Sequence, residues 1–502
     1  MAEKSIIIIG AGLAGLSAGC YAQMNGYRSR IFEHHTLPGG VVAAWKRKGY
    51  TIDGGIHFVW GHKPGQSGYE LYHQLGISQA NRFPDLTTYC RFINEDDGCV
   101  LEITRDLDRL AKELKALSPA DAGIVDDLIA GARAMQGPGT ADMGMSKPHE
   151  LTGFLDRFRE MWGMRRILKY FTGDYAKPVT GYVQGIQDPW LRWVIENLFL
   201  PEVPVWFVIM VLGMFTDGQL GLPEGGSLGI IQPIERRYKD LGGQVTYRAT
   251  VEEILVENHR ASGVRLADGS EHRADIVVSA ADGHSTIFKM LGGRYVNEKI
   301  KNRYKNWKLF RPLVMVNFGV AREFTGEPCF TVMRLARPFT VGEQAVEGFF
   351  VRIFNYSPAF APPGKAVIQV EFETEWDFWD QLQKEDRPRY DAEKERVAAE
   401  VLKRLEAHFP GLTSQVEVTD VSTPFTTWRY TRNHRGAFEG WLLTQETINT
   451  RVEKTLPGLA NFYMAGQWVM PGGGILPCLY SGRHVVQILC HRDRKPFLTT
   501  IP

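Results

Sequence analysis

Three glycines and one glutamate near the start of the chain have the types and spacing of a nucleotide-phosphate site. Gly10, Gly12 and Gly15 form the pattern G-x-G-x-x-G, and Glu33 follows 23 residues after Gly10. Glycine allows a tight turn at the first position, close approach to a pyrophosphate at the second and close helix packing at the third. A carboxylate at this distance can accept hydrogen bonds from ribose hydroxyls. Together the four residues predict a dinucleotide site.

The elements around this loop have the order that such a site requires. Residues 6–9 form a short β-branched run, typical of a strand that is buried on both faces. A helix is predicted over about 13–25, with Gly26 past its end, and a second strand over 28–32. The helix N-terminus would offer N–H groups and the positive end of its dipole to phosphates. This order favours a Rossmann-type fold far more than the glycines alone do.

The composition argues against several other classes of function. The 502 residues carry a formal net charge of +1, with 44% hydrophobic and 23% charged residues, so no nucleic-acid partner is expected. The six cysteines show no C-x-x-C pair or zinc-like spacing, which predicts no metal site and free thiols in a reducing compartment. No secretory signal precedes the first strand, and the longest apolar run, 205–215, is too short to span a bilayer. A cytoplasmic protein is expected, with peripheral membrane association as an open alternative.

The length and the pattern along the chain predict two interleaved domains, because one compact core rarely grows to this size. Strand and turn patterns return after residue 222, and a final strand near residue 461 enters a glycine-rich turn and a helix. Residues 1–75, 216–290 and 431–502 are assigned to a discontinuous cofactor domain, and 76–215 and 291–430 to a substrate domain. No second G-x-G-x-x-G follows a strand, so no separate NAD(P) site is predicted.

One predicted helix, residues 154–171, combines an apolar side with a basic side. Phe154, Phe158 and Trp162 share the apolar side. The rest of its surface carries five cations: Arg157, Arg159, Arg165, Arg166 and Lys169. Such a helix could lie on anionic lipid, aided by the apolar run 205–215. The alternative is a cap whose apolar face lines a substrate cavity, and the sequence leaves both open.

Three further stretches give the chain a resemblance to a known family. They are Gly39-Gly40 with D-G-G-I-H at 53–57, L-P-E-G-G-S at 222–227, and S-T-P-F-T at 422–426 continuing to G-Q-W-V-M-P-G-G-G at 466–474. In this order the chain resembles the phytoene desaturases, carotenoid isomerases and retinol saturases. The resemblance implies FAD as the cofactor and a fold similar to amine oxidases. That fold is α/β, with a Rossmann-type FAD domain and an interleaved substrate domain of mixed β-sheet and covering helices.

The resemblance also implies where the cofactor would lie. The pyrophosphate would lie by Gly39 and Gly40, the isoalloxazine ring near 54–57, and the adenine at the backbone of Val251. The helix that begins near Ile475 would point its positive end at flavin N1 and C2=O. The predicted cofactor-binding residues are Gly10, Gly12, Ala14, Gly15, Glu33, Gly39, Gly40, Gly54, Gly55, Ile56, His57, Val251, Gly466, Gln467, Gly474 and Ile475.

Two positions depart from the family pattern, and the sequence identifies no catalytic residue. Val41 follows the paired glycines where many relatives have Arg, and Gln467 stands where an acid is common. His57 is the one candidate for proton transfer, against the alternative that it only orients its loop. Cys478, near the expected flavin edge, is interpreted as a packing thiol rather than a reactive one.

The main functional hypothesis is an FAD-dependent oxidoreductase acting on a carbon–carbon bond of a long apolar substrate. A carotenoid- or retinoid-like polyene would be desaturated or saturated. The first alternative is a non-redox cis–trans isomerase of such a polyene. A flavin amine oxidase and a catalytically silent FAD-containing scaffold are further alternatives. The expected partner is an apolar small molecule, with a membrane surface left open and the electron acceptor not identified.

Overall fold

The helices and strands are those of a computed structural model that describes residues 3–137, 145–165, 167–448 and 450–502, without the side chains of 157 and 159–161. The helices are α1 (Leu13–Met24), α2 (Tyr69–Gln74), α3 (Ile77–Ala80), α4 (Leu107–Leu117), α5 (Ala122–Ala134), α6 (Phe154–Met164), α7 (Val179–Tyr182), α8 (Pro189–Glu196), α9 (Val205–Thr216), α10 (Gly226–Asp240), α11 (Glu298–Asn306), α12 (Trp376–Glu385), α13 (Arg387–His408), α14 (Pro424–Thr431), α15 (Gln445–Ile448) and α16 (Ile475–Arg492). The strands are β1 (Ser5–Ile9), β2 (Arg28–Phe32), β3 (Ala44–Arg47), β4 (Tyr50–Asp53), β5 (Val59–Trp60), β6 (Thr88–Asn94), β7 (Val100–Thr104), β8 (Leu220–Gly221), β9 (Gln244–Thr246), β10 (Val251–Glu257), β11 (Arg260–Leu266), β12 (Glu271–Arg273), β13 (Ile276–Ser279), β14 (Leu313–Val320), β15 (Phe330–Val341), β16 (Gln344–Ile353), β17 (Ala366–Glu373), β18 (Val416–Ser422) and β19 (Phe462–Met464).

A five-stranded parallel sheet, with the order β19-β13-β1-β2-β9, carries the glycine loop. β1 lies at its centre, and residues 6–9 are at most 4% exposed, as expected for a strand covered on both faces. Side chains of α1, α10 and α16 form the apolar core on one face. The antiparallel sheet β10-β11-β12 contributes to the core on the other. The predicted order of strand, glycine loop, helix and strand is confirmed.

A seven-stranded mixed sheet, with the order β18-β14-β17-β16-β15-β6-β7, forms the second layer. Its pairings are antiparallel except for β15 with β6. The helices α12 and α13 share a core with its central strands, and α4, α5, α8 and α9 share another with β6 and β7. The predicted mixed sheet with covering helices is therefore confirmed, whereas the exact domain boundaries stay a prediction.

The longest apolar run lies in the interior and not on a surface. Ten of the twelve residues of α9 are buried. α9 packs so closely on α5 that a Cβ at Gly213 would collide with the carbonyl oxygen of Ala132. The expectation that residues 205–215 help the protein onto a membrane is therefore wrong. Among the described residues, no helix is long and apolar enough to cross a bilayer.

The predicted continuous helix over 154–171 is wrong in its second half. α6 ends at Met164, directly after the poor helix former Gly163, and residues 168–171 form a 3-10 turn. Arg166 and the side chains of Arg157 and Arg159 lie outside the described residues. Four apolar side chains of α6 are 53–82% exposed, namely Phe154, Leu155, Phe158 and Trp162. They line no covered cavity, so the cap interpretation does not hold for them.

Candidate cofactor site

Two helices that cross beside the parallel sheet begin without a side-chain cap. Their N-termini are at Gly12 for α1 and at Gly474 for α16. The two helices cross in backbone contact, since a Cβ at Gly482 would collide with the carbonyl oxygen of Ala14. First-turn N–H groups and the helix dipole attract phosphates and other electron-rich groups. These two helix N-termini fit a single elongated ligand that has phosphates in one part and a polar ring edge in another.

Gly39 and Gly40 lie directly beside the first glycine loop. The N–H of Gly39 donates to the carbonyl oxygen of Ala11 at 3.0 Å. Both have left-handed backbone, with φ of +131° and +62°, which favours glycine. The space in front of Gly12 is open, because the atom nearest to a Cβ there would be the Gly39 oxygen at 3.8 Å. A pyrophosphate could therefore approach this backbone without displacing protein atoms.

Glu33 braces the glycine loop, a role that the sequence did not reveal. Its Oε2 accepts from the N–H of Ala11 at 2.6 Å, and its Oε1 accepts from the N–H of His35 at 2.7 Å. Each carboxylate oxygen keeps a second lone pair, so a ribose hydroxyl can still donate to it. The N–H of Ala249 donates to the Glu33 carbonyl at 2.8 Å, which brings Val251 to this same end of the site.

The loop that holds Gly54, Gly55, Ile56 and His57 is anchored by buried polar groups. Asp53 accepts from the N–H of Gly55 at 3.1 Å and from the N–H and Oγ of Ser227 at 2.6 and 2.7 Å. Gln369 Nε2 donates to the carbonyl oxygen of Asp53 at 2.8 Å. Since Gln369 lies on β17, the mixed sheet positions this loop against the parallel sheet.

His57 has a buried acid behind its ring. Its Nε2 lies 2.9 Å from Oε2 of Glu371, and the other carboxylate oxygen accepts from Arg352 at 3.0 Å. The Glu371 and Arg352 side chains are 5% and 2% exposed, whereas His57 keeps 27%. Burial acts to raise the pKa of Glu371, but the facing His57 and Arg352 outweigh it and lower the pKa to about 2. Glu371 is 314 residues from His57, so no local pattern could have predicted the pair.

Three aromatic rings pack around His57, of which Phe330 is buried and Phe350 and Phe438 keep accessible surface. The ring centroids of Phe330, Phe350 and Phe438 lie 6.5, 5.5 and 6.0 Å from that of His57. An apolar wall with one polar group suits a flat apolar ligand that must be oriented. The sequence did not point to these rings, because they come from β15, β16 and the segment after α14.

The turn before α16 brings the last predicted residues to the site. Gly466 has a φ of +101°, and its N–H donates to Ser481 Oγ at 2.7 Å. Gly474 and Ile475 keep accessible surface at the helix N-terminus, as does Gln467 in the turn. Burial, followed by the charge of Glu439, raises the pKa of the Cys478 thiol well above its usual range. A thiol with a raised pKa stays protonated at neutral pH, which supports the interpretation of Cys478 as a packing thiol.

A separate polar cluster has metal-ligand geometry within the described chain. It consists of His149, Glu150 and Glu453. The almost fully buried Lys454 places its Nζ 3.3 Å from Glu150 and already supplies a cation there. This cluster carries no metal assignment.

The family described as flavin-containing amine oxidoreductases matches residues 13–490. The chain belongs to this family. FAD is its cofactor, and the enzyme is an oxidoreductase by family, so these two predictions are confirmed. The open backbone at Gly12 and the two uncapped helix N-termini fit the pyrophosphate and the ring of such a cofactor.

Relatives with carotenoid-related activities match this chain over nearly its whole length. A chloroplastic prolycopene isomerase from Arabidopsis thaliana is 24% identical over 95% of this chain and 81% of its own length. A lycopene-forming phytoene desaturase from Pseudescherichia vulneris is 24% identical over 97% of this chain and 99% of its own. The predicted resemblance to desaturases and carotenoid isomerases is confirmed.

Solved structures show the same fold. An oxidoreductase from Methanosarcina mazei is 17% identical, with a TM-score of 0.60 over 96% of this chain and 100% of that one. A putrescine oxidase variant is 13% identical, with a TM-score of 0.61 over 98% of this chain and 99% of that one. The predicted amine-oxidase-like α/β fold is confirmed.

Proposed function

We propose that FAD lies with its adenosine end at Glu33 and Val251 and its ring between His57 and the N-terminus of α16. The open glycine backbone, the uncapped helices and the anchored loop after β4 support this placement. The proposed contacts are Gly10, Gly12, Ala14, Gly15, Glu33, Gly39, Gly40, Gly54, Gly55, Ile56, His57, Val251, Gly466, Gln467, Gly474 and Ile475.

We further infer that the enzyme acts on a carbon–carbon bond of a long apolar polyene, by desaturation or saturation. The observation that carries this inference is the wall of Phe330, Phe350 and Phe438 around His57, the only polar ring in that group. The similarity to phytoene desaturases over most of the chain supports it.

The residues around the expected position of the flavin ring have different roles in such a reaction. FAD, when bound, supplies hydride or electron transfer at its N5 edge. The three phenylalanines orient the polyene and exclude water. The N-terminus of α16 stabilises negative charge on the ring. His57, held at Nε2 by Glu371, can hold or move a proton at Nδ1.

Product mass tests this function. The FAD-loaded protein would be incubated with acyclic polyenes of different saturation, with flavin oxidised in one arm and reduced in the other. Liquid chromatography with mass spectrometry should show a product lighter or heavier by two hydrogens. Peroxide formation from amines, without turnover of any polyene, would contradict the proposal and favour an amine oxidase.

A cis–trans isomerase of polyenes is the second candidate. The similarity to prolycopene isomerases, at 24–25% identity over 95–96% of the chain, favours it. In the same experiment an isomerase leaves the mass unchanged and shifts only the retention time, with no net consumption of reduced flavin.

We also propose that α6 docks the protein on an anionic lipid surface, where an apolar polyene would dissolve. Four of its apolar side chains are more than half exposed, which is unusual for a surface without a partner. Arg165, which directly follows α6, stacks over the exposed ring of Trp162 at 4.9 Å. Cations beside exposed aromatic rings are typical of helices that lie in the lipid interface.

A further inference from the structure

Glu439 lies against the glycine turn that leads into α16. Its segment runs beside the turn, since the N–H of Gly472 donates to the carbonyl oxygen of Trp441 at 2.9 Å. The carboxyl group packs on Gly473 so closely that a Cβ there would overlap it. Gly473 and Gly474 have φ of +58° and +90°, and without side chains they leave the carboxyl group in contact with the turn itself.

The carboxyl group of Glu439 has no cationic partner among the described residues. Within the part of the chain that the structure describes, no Lys, Arg or His side chain forms an ion pair with it, and its polar contact is the N–H of Gly474. The titratable side chain beside it is the Cys478 thiol on α16. Loss of hydration without a compensating cation disfavours the carboxylate. In agreement, burial raises the pKa of Glu439 to about 8, against the single opposing hydrogen bond from Gly474.

Glu439 also belongs to a segment that contacts both parts of the proposed ring site. It is enclosed by protein yet keeps accessible surface, as Gly474 and Ile475 do. Its neighbour Phe438 is one of the rings around His57, and its own carboxyl group contacts the turn before α16. The proposed FAD placement puts the pyrimidine end of the flavin at this turn.

We propose that Glu439 is an uncharged carboxylic acid that donates a hydrogen bond to the pyrimidine edge of the flavin, at N1 or the C2 carbonyl. One carboxyl oxygen accepts from the N–H of Gly474, and the protonated oxygen donates to the ring. Negative charge accumulates at this edge when the flavin is reduced, so a neutral donor stabilises the reduced state and a carboxylate would oppose it. The inference rests on the proposed FAD placement and not on the identity of the substrate.

The midpoint potential of the bound flavin tests this role without any substrate. Wild type, Glu439→Gln and Glu439→Leu would be titrated in their FAD-loaded forms from pH 6.5 to 9, with the exposed Glu252→Gln as the matched control. Gln keeps an uncharged donor, so its potential should equal that of wild type at pH 6.5. Above pH 8, Glu439 ionises in the wild type, so the wild-type potential should fall below that of Glu439→Gln. Leu removes the donor and should disfavour reduction about 10-fold at pH 6.5, about 30 mV for a two-electron couple.

Two results would overturn the proposal. One is a wild-type profile that runs parallel to that of Glu439→Gln up to pH 9, a comparison that stays decisive even if the Leu variant fails to fold. The other is a Leu variant with the wild-type potential. If the wild-type protein takes up no FAD, this inference and the proposed function fail together. Unchanged potentials in FAD-loaded variants refute the role of Glu439 alone.

Discussion

Glu371 is ionised inside the protein because two partners face it. Arg352 and His57 each contact one of its oxygens, and Arg352 also donates to the carbonyl oxygen of Ile56. The buried ion pair of Glu371 and Arg352 thus holds the backbone of the loop that carries His57. The ion pair contributes little net free energy to stability, but removal of one partner leaves the other as a buried charge without compensation.

Replacement of Glu371 by Gln should destabilise the protein at neutral pH, by about 3 kcal/mol, because Arg352 keeps its buried charge. The folded-state pKa of Glu371 is lowered to about 2 from an ordinary 4.5. Its contribution is therefore complete above pH 4.5 and is lost as the pH falls toward 2. The difference in unfolding free energy between wild type and Glu371→Gln should therefore become smaller as the pH falls from 4.5 toward 2. Urea unfolding followed by tryptophan fluorescence at several pH values measures it.

The matched control is Glu417→Gln, which removes an exposed carboxylate paired with Lys365 and should change stability little. If the difference in unfolding free energy between wild type and Glu371→Gln stayed constant from pH 6.5 to 3, Glu371 would not act as a buried anion.

Gly12→Val should empty the FAD site without unfolding the protein. The apoprotein has room for a side chain at Gly12, with the nearest atom 3.8 Å from the Cβ position, but that room is where the pyrophosphate would lie. We expect FAD affinity to fall about 10-fold or more, the equivalent of losing one charged hydrogen bond. Flavin absorbance after gel filtration and circular dichroism measure loading and folding. Gly123→Val, at another open position, should load fully, and equal loading of the two variants would contradict the placement.

Among the helices, α9 and α6 show how similar apolar patterns lead to different positions. α9 is apolar on all sides and is packed inside the protein, whereas α6 exposes its apolar side chains. A hydrophobic run predicts that its side chains leave water. It does not predict whether they are buried in protein or in lipid.

The proposed docking of α6 predicts loss of lipid binding in the double variant Phe154→Ser, Trp162→Ser. Each side chain would bury most of its area in the lipid interface, so we expect co-sedimentation with phosphatidylcholine vesicles containing phosphatidylglycerol to weaken about 10-fold. Leu498→Ser, which removes a side chain that is 54% exposed elsewhere, should bind as wild type does. Equal binding by the double variant, or no binding by wild type, would refute the docking surface.

At the scale of the whole molecule, segments from both ends of the chain form the proposed FAD site. α1 and α16 cross at Gly482, and the mixed sheet reaches the flavin loop through Gln369 and Arg352. A ligand that contacts all these parts binds only the folded state and so stabilises it.

Removal of FAD should therefore lower the unfolding midpoint, and its return should restore it. The expected stabilisation is about 2.7 kcal/mol at an FAD concentration 100-fold above Kd. Differential scanning calorimetry of the apoprotein with FAD or riboflavin provides the comparison. Riboflavin lacks the pyrophosphate and adenosine, so it should recover little of the stability. Full recovery with riboflavin would show that the glycine loop and Glu33 do not take part in binding.

Local chemistry made part of the site predictable. The strand at 6–9, the glycines and Glu33 lie within 33 residues, and each has a backbone or hydrogen-bonding reason to be where it is. The glycine turn before α16 was predictable for the same reason, although its role came from a family resemblance. The predicted helix over 154–171 failed because the apolar periodicity was followed past Gly163, a poor helix former directly before the end of α6.

By itself, the sequence predicted the glycine loop and its Rossmann-type surroundings from short patterns whose residues are neighbours along the chain, and the flavoprotein family from a resemblance that spans the chain. Only the tertiary structure decided that Glu371 and Arg352 support His57, that Glu439 meets Gly473 with no cation beside it in the described part of the chain, and that α9 is interior. Each of these depends on contacts between distant segments. The pKa of a buried group and the surroundings of an apolar helix are set by such contacts, and no local pattern encodes them.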